Sequence, residues 1–329
     1  MKKAIIVFHR IDFDGICSLA IAREQLVKEG YSVDLFPYNR NDSVSQIEEL
    51  VQTVYAGTEK PYDKVVIVDI ALPVDIMAAL ADQRRKGMID VVWIDHHKST
   101  ILESVAEGWN DLPGIRHHGT GSFHMCGDFY VHGGIGACEL TWKYFHPGHE
   151  APLFVQLLSA YDVWNRNRFN WERETNAFQY GMRRLYPNGY EKFLEAYDDN
   201  RFGNDIVTRI EDEGYLLYSY TRDCGERGVD SYGFEVAVGD GHKGVCCLTN
   251  QFGALAFGSA LKEAGATISV CVNRLERGKY NVSVFGAEGN TLDLGAYMKE
   301  HYNGGGHENA AGGTLTTDQF VRLLEECRL

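Results

Sequence analysis

His9, Asp12 and Asp14 fall within the short stretch "FHRIDFDGICS", where an apolar run gives way to a helical pattern. A plain turn or helix cap needs one Asp or Gly. An imidazole and two carboxylates this close together attract cations. Two further clusters share this setting: Asp69 follows "VVIV", and Asp95, His96 and His97 follow "VVWI". Each has an ordinary explanation when taken singly, since Asp often ends a strand in a turn. Carboxylates converging from several strand ends would repel one another in a partly dehydrated cleft unless a cation lay between them. Imidazole and carboxylate donors without a thiolate suit Mn²⁺, with Fe²⁺, Co²⁺, Zn²⁺ and Mg²⁺ as alternatives. The donors exceed one ion's needs. Two ions about 3.5–4 Å apart, sharing a carboxylate and a water, favour in-line attack on phosphorus.

The elements that must position these residues alternate in the first half of the chain. "KKAIIVF", "SVDLFPY", "KVVIVDI" and "DVVWIDHH" have strand character, separated by helical patterns in "SLAIAREQLVKEG", "SVSQIEELVQTVY" and "PVDIMAALADQRRKG". Strand and helix alternating with short connections predict a parallel sheet with helices on both faces. Ligands of such sheets bind beyond the carboxyl ends of the strands, where these clusters fall. Residues 108–134 are rich in Gly and His and show no period, which predicts a long loop, a lid or an edge element. Helical patterns resume in "ACELTWKYF" and "PLFVQLLSAYDVW", and a charged helical stretch through "YEKFLEAYDDNRFGNDIVTRIEDEGYLLYSY" suits a connector. From Gly233 a smaller α/β module follows, with two strands around Glu276–Lys279 and a final helix capped by Thr317 or Asp318. The expected division is residues 1–190, a helical linker over 191–228, and a second domain over 229–329.

With 329 residues and 44% hydrophobic content, the chain is long enough for two cores. Its formal net charge of −14 argues against a broad footprint for long duplex DNA or an anionic membrane. Short anionic substrates are easier to accommodate. The eight cysteines show no zinc-ribbon spacing, and Cys246 and Cys247 are adjacent, so reduced thiols and a cytoplasmic setting are expected. The apolar run after Lys3 is too short for a signal peptide, and no stretch has membrane-spanning length.

"HRIDFDG", "VDI", "WIDHHKS" and "SAYDVW", in this order, resemble the four motifs of the DHH phosphoesterase superfamily. "NGGGHENAAGG" resembles the glycine-rich motif of the DHH-associated C-terminal domain, so the resemblance spans almost the whole chain. It implies a parallel-sheet metal-binding domain, a smaller substrate-binding α/β domain and an active site in the cleft between them. It also implies that His9 and Asp12 bind one metal and that Asp14 and His96 bind the other. Asp69 would bridge, and Asp162 would complete the second site. Asp95 would orient an imidazole, and His97 would contact the substrate phosphate or the nucleophile. Gly304, Gly305, Gly306 and His307 would bind substrate, the glycines by exposing backbone N–H groups and His307 by donating to an oxyanion.

The implied activity is manganese-dependent hydrolysis of short nucleotides, most of all short oligoribonucleotides, with release of mononucleotides; Co²⁺ or Mg²⁺ could replace Mn²⁺. Alternatives within the class are removal of the 3′-phosphate of 3′-phosphoadenosine 5′-phosphate, cleavage of a cyclic dinucleotide, and pyrophosphate hydrolysis. A RecJ-like exonuclease on long strands fits less well, because the acidic chain shows no extra nucleic-acid module. A non-catalytic nucleotide sensor is the alternative from another class. A homodimer is compatible with the resemblance.

Two features depart from the family pattern. Relatives carry a Ser-X-Arg-Ser-like segment where "VSVFG" stands, so Phe285 occupies the neighbourhood of the Arg and could stack on a base or pack in the core. The first motif is spaced His-X-X-Asp-X-Asp-Gly, one residue shorter than the form found in bacterial nanoRNases. His117, His118, His124 and His132 match no structural zinc spacing and read as an exposed loop. Arg166, Arg168, Arg183 and Arg184 follow the fourth motif and read as solvated side chains, with phosphate contacts as the alternative.

Overall fold

The structure, a computed structural model, describes residues 2–39, 48, 62–97, 135–187, 189–239, 241–249 and 253–326. The helical pattern expected over "SVSQIEELVQTVY" and the Gly/His-rich stretch 108–134 lie outside these residues, apart from helical Glu48. The chain divides into two compact units, Met1–Leu216 and Leu217–Leu329.

The first unit is built on four parallel strands: β1 (Lys2–His9), β2 (Tyr31–Tyr38), β3 (Lys64–Val68) and β4 (Asp90–Ile94). Their spatial order is β2-β1-β3-β4. Successive strand residues point to opposite faces, yet all five residues of β3 are buried and so are five in a row in β1. Both faces of the central strands are therefore covered. This explains why these segments read as continuous Val/Ile runs rather than as alternating ones.

Helix α1 (Phe13–Lys28) follows β1 after a three-residue turn and is buried on every side through Ala22. Helix α2 (Val74–Arg85) links β3 to β4. Helices α3 (Ala137–Phe145), α4 (Leu153–Asp162), α5 (Ala177–Leu185) and α6 (Glu191–Asp198) complete the unit, with a π-helical turn over Trp171–Asn176 leading into α5. The core runs from the strands through Phe154, Phe178, Phe193 and Phe202. Trp93 at its centre satisfies its indole by donating to the Ile70 carbonyl at 3.0 Å.

The stretch expected to form one charged connector is two helices, α6 and the long α7 (Asn204–Tyr232). α7 runs across the division between the units.

The second unit holds a six-stranded mixed sheet of order β5-β6-β7-β8-β10-β9. Its strands are β5 (Phe234–Val238), β6 (His242–Cys247), β7 (Ile268–Glu276), β8 (Lys279–Gly286), β9 (Gly305–His307) and β10 (Ala310–Thr316). Helices α8 (Gly258–Ala264), α9 (Leu294–Tyr302) and α10 (Thr317–Glu326) accompany it. The cap of α10 is Thr316, one residue before the expected Thr317 or Asp318. Thr316 Oγ1 accepts from Gln319 N at 3.3 Å while Gln319 Oε1 accepts from Thr316 N at 2.8 Å. This reciprocal capping box needs a Gln three residues on, which only Thr316 has.

Candidate metal centre

β1 and β3 are neighbours, and their connections leave toward opposite sides of the sheet, α1 toward β2 and α2 toward β4. Such a switch point opens a crevice at the carboxyl ends of the two strands. His9 is the last residue of β1, and Asp69 immediately follows β3. Asp95 immediately follows β4. The parallel ladder thus delivers three of the expected residues to one edge.

The turn after β1 serves two purposes with one side chain. Asp12 is the N-cap of α1, and its Oδ1 accepts from Gly15 N at 3.0 Å. Its Oδ2 lies 2.9 Å from His9 Nδ1. Cap and candidate ligand, alternatives in the sequence, are therefore the two ends of one carboxylate. Gly15 is required here because a Cβ would collide with the His9 carbonyl oxygen.

His9 Nδ1 is also 3.3 Å from Asp69 Oδ2. Burial pushes the His9 imidazole down, but Asp12 and Asp69 outweigh it and raise its pKa to about 11. Asp69 sits at φ +58, a left-handed conformation that costs a non-glycine residue about 1–2 kcal/mol and that Asp tolerates better than most. That conformation lets its two oxygens face different partners: Oδ2 faces His9, and Oδ1 lies 3.3 Å from His96 Nε2. Burial raises its carboxyl, yet the His9 and His96 imidazoles beside it hold it well below the usual range.

His96 is 3.0 Å from Asp162 Oδ2 and 3.7 Å from Asp14 Oδ2. Burial lowers the His96 imidazole, and Asp162, Asp69 and Asp14 together raise it well above its ordinary value. Asp14 lies in the first turn of α1, and its carboxylate spans the start of α3. Oδ2 accepts from Ala137 N at 2.6 Å, and Oδ1 accepts from Cys138 N at 2.9 Å. Helix α3 has no capping side chain of its own, so a carboxylate from elsewhere in the chain takes its first N–H groups and complements its dipole. Burial together with Asp69 and Asp162 still raises Asp14 well above the ordinary carboxylate value.

Asp95 is fully buried, and its Oδ1 accepts from His96 N at 2.8 Å and lies 2.6 Å from His97 Nδ1. One carboxylate thereby fixes both the backbone of the His-His pair and the ring of His97. Burial pushes the Asp95 carboxyl up, but His97 and His96 outweigh it and hold it below its ordinary value.

His9, Asp12 and Asp69 form one group of donors within metal-ligating reach, and Asp14, His96 and Asp162 form another. Asp69 Oδ1 is buried and accepts no hydrogen bond of good geometry, although it points at the second group. Carboxylate oxygens and imidazole nitrogens in two adjoining triads, joined by a carboxylate with an unsatisfied buried oxygen, fit a pair of divalent cations.

The structure thus brings His9, Asp12, Asp14, Asp69, Asp95, His96, His97 and Asp162 into one neighbourhood. Gly304, Gly305, Gly306 and His307 lie in the second unit, on β9 and the residue before it. A Cβ at Gly304 would collide with the Gly312 carbonyl, and Gly306 has φ +142, so backbone packing dictates these two glycines. Gly305 alone of the three has open space where a side chain would be. Phe285 is partly buried and packs against the small core around Phe257, Cys247 and Cys271.

Sequence reasoning missed the helix terminus held by Asp14 and the role of Arg168. Far from being simply solvated, Arg168 grips buried Glu139, with Nη1 donating to Oε2 at 2.5 Å and Nη2 to Oε1 at 3.2 Å. Nη2 also donates to Gln156 Oε1 at 2.7 Å. A helix start without Ser, Thr, Asp or Asn, as in "GIGACEL", was the available signal that a remote acceptor was needed.

The description "DHH family, N-terminal domain" matches residues 3–110, and "DHHA1 domain" matches residues 254–328. A comparison with curated proteins finds no match. Among solved structures the chain is similar to the pGpG-specific phosphodiesterase PggH of Vibrio cholerae, at 11% identity and TM-score 0.51, covering 99% of this chain and 97% of that one. It is also similar to an exopolyphosphatase-related protein of Bacteroides fragilis, at 13% identity and TM-score 0.50, covering 99% and 91%. A third is the DHH domain of a member of a family of ribosomal proteins, at 14% identity and TM-score 0.53, covering 99% and 86%. At these identities the likeness is one of fold. Both domain matches stand in family order over more than half of the sequence, with the motif residues gathered at the strand ends: the chain belongs to the DHH phosphoesterase family.

Proposed function

We propose that this protein is a two-metal phosphohydrolase or phosphodiesterase acting on short nucleotides, most of all short oligoribonucleotides, with release of mononucleotides. The observation that carries the proposal is the division of the Asp69 carboxylate between His9 and His96, which joins two donor triads into one centre.

His9 and Asp12 would hold one cation, Asp14, His96 and Asp162 the other, and Asp69 would touch both. Divalent cations, Mn²⁺ by preference and Co²⁺ or Mg²⁺ in its place, supply positive charge for a phosphoryl group and acidify water at neutral pH. Asp95 holds Nδ1 of His97, which fixes the ring, and His97 would then contact a phosphate oxygen or the attacking water. Asp14, Asp69, Asp95 and His96 are themselves buried, so each of these charges acts in a low local dielectric and acts strongly. For the second unit, Gly305 and His307 are the proposed contacts to the phosphate or terminal nucleotide.

The test is Mn²⁺-dependent hydrolysis of a panel: a short RNA, a short DNA, 3′-phosphoadenosine 5′-phosphate, a cyclic dinucleotide, pGpG and pyrophosphate, with products separated by chromatography. Stepwise appearance of mononucleotides from the short RNA supports the proposal. Turnover of 3′-phosphoadenosine 5′-phosphate or of a dinucleotide alone would move the substrate within the class. Tight nucleotide binding with no turnover of any member would mark a sensor.

A further inference from the structure

Asp162 closes α4, and the residues just beyond it are unusual for a helix end. Asn165 N donates to Ala160 O at 2.9 Å, and Trp164 N donates to Tyr161 O at 3.2 Å. This pair of bonds is the Schellman closure, whose left-handed residue is ordinarily glycine. Here that residue is Trp164, at φ 57. A bulky aromatic in this conformation is a genuine outlier, and such strain persists where something besides local folding requires the side chain.

The indole of Trp164 meets Trp171 edge-on, with centroids 5.1 Å apart, and Trp171 in turn lies parallel to Tyr161 within 7°, at 6.1 Å. Trp171 opens the π-helical turn, a distortion that is rare and often found at functional sites. Two exposed cations border the rings. The Arg166 guanidinium lies 5.1 Å from the Trp164 ring and 5.6 Å from Trp171. Arg183 donates to the Tyr161 hydroxyl at 3.1 Å. None of the three rings is buried, although each is large and apolar enough to be.

We propose that Tyr161, Trp164 and Trp171, with Arg166 and Arg183, form a seat for an unpaired nucleobase and its flanking phosphate, beside the centre that Asp162 helps to build. The proposal rests on the nucleotide phosphoesterase function above and specifies how that substrate is recognised. Aromatic faces stack on any base, and guanidinium groups both stack and pair with phosphate. An overall acidic chain must gather such cations locally if it is to hold an anion. A base already paired in a duplex has no free face to offer, so the seat selects single-stranded ends.

The test compares adenosine 5′-monophosphate with ribose 5-phosphate by calorimetric titration of the Mn²⁺-loaded full chain, for the parent, Trp164→Gly and Arg166→Ala. The parent should bind the nucleotide about tenfold more tightly than the sugar phosphate. Trp164→Gly should erase that ratio and raise KM for a dinucleotide about tenfold, with the smaller effect on kcat. Its thermal midpoint should hold or rise, because glycine suits the left-handed position. A purely structural tryptophan predicts a lowered midpoint with the ligand ratio intact, and that result would overturn the proposal. Should Trp164→Gly lose both midpoint and binding, Arg166→Ala decides: its exposed side chain can be removed without unfolding, and unchanged affinity for both ligands would sink the seat. A parent that hydrolyses short RNA yet binds both ligands equally refutes the seat alone. A parent that turns over pyrophosphate but no nucleotide refutes the proposed function itself.

Discussion

Asp69 Oδ1 stands 3.3 Å from His96 Nε2 while the opposite oxygen of the same carboxylate stands 3.3 Å from His9. Replacing Asp69 with Asn preserves the shape and the tolerance for φ +58 but removes the charge that both sides use. Asp69→Asn should keep the parent's far-ultraviolet circular dichroism, lose more than about 100-fold in turnover, and bind less Mn²⁺ by elemental analysis. Parental turnover in the folded variant would remove Asp69 from the bridging position.

Asp12 offers a separation of fold from chemistry. Asp12→Asn retains an oxygen for the Gly15 N–H, so urea unfolding should shift by less than about 0.5 kcal/mol. Asp12→Ala loses the cap as well and should cost about 1 kcal/mol. Hydrolysis should fall in both, since both lose the charge beside His9.

Arg168 secures a buried charge. Arg168→Ala strands the Glu139 carboxylate and should destabilise the protein by about 3 kcal/mol in urea unfolding, with Lys143, 3.4 Å from Glu139, limiting the loss. Lysine cannot reproduce the two-pronged grip, so Arg168→Lys should recover only part of it.

Glu211 gives a pH signature away from the centre. Burial, with Glu174 and Asp212 nearby, raises its pKa to about 7 from the ordinary 4.5. The folded chain therefore keeps this proton where the unfolded chain has lost it. Stability should decline as pH rises from about 4.5 to about 7 and then level off. Glu211→Gln should flatten that segment of the thermal midpoint profile, leaving the variant more stable than the parent above pH 7 and no different below pH 4.5.

The sheet and the strand-end residues were legible because both are local. A Val/Ile run followed by Asp declares a strand and its terminus together, and a parallel order then collects those termini on one edge. What could not be read was whatever depends on distant partners. Asp14 meets the start of α3 across 123 residues, and Arg168 meets Glu139 across 29, with no pattern in either stretch that names the other. The glycine-rich motif was ambiguous in a different way: glycine announces either exposure or tight packing, and the backbone neighbours that crowd Gly304 and Gly306 lie on β10.

The remote capping of α3 has a spectroscopic consequence. The amide protons of Ala137 and Cys138 point at the oxygens of Asp14, so any cation drawing on that carboxylate would polarise the same two N–H bonds. In a ¹⁵N-resolved titration these two resonances should move together as ions are added, while amides in the middle of α3 stay put. The first turn of a helix would then report, from the backbone alone, how full the neighbouring centre is.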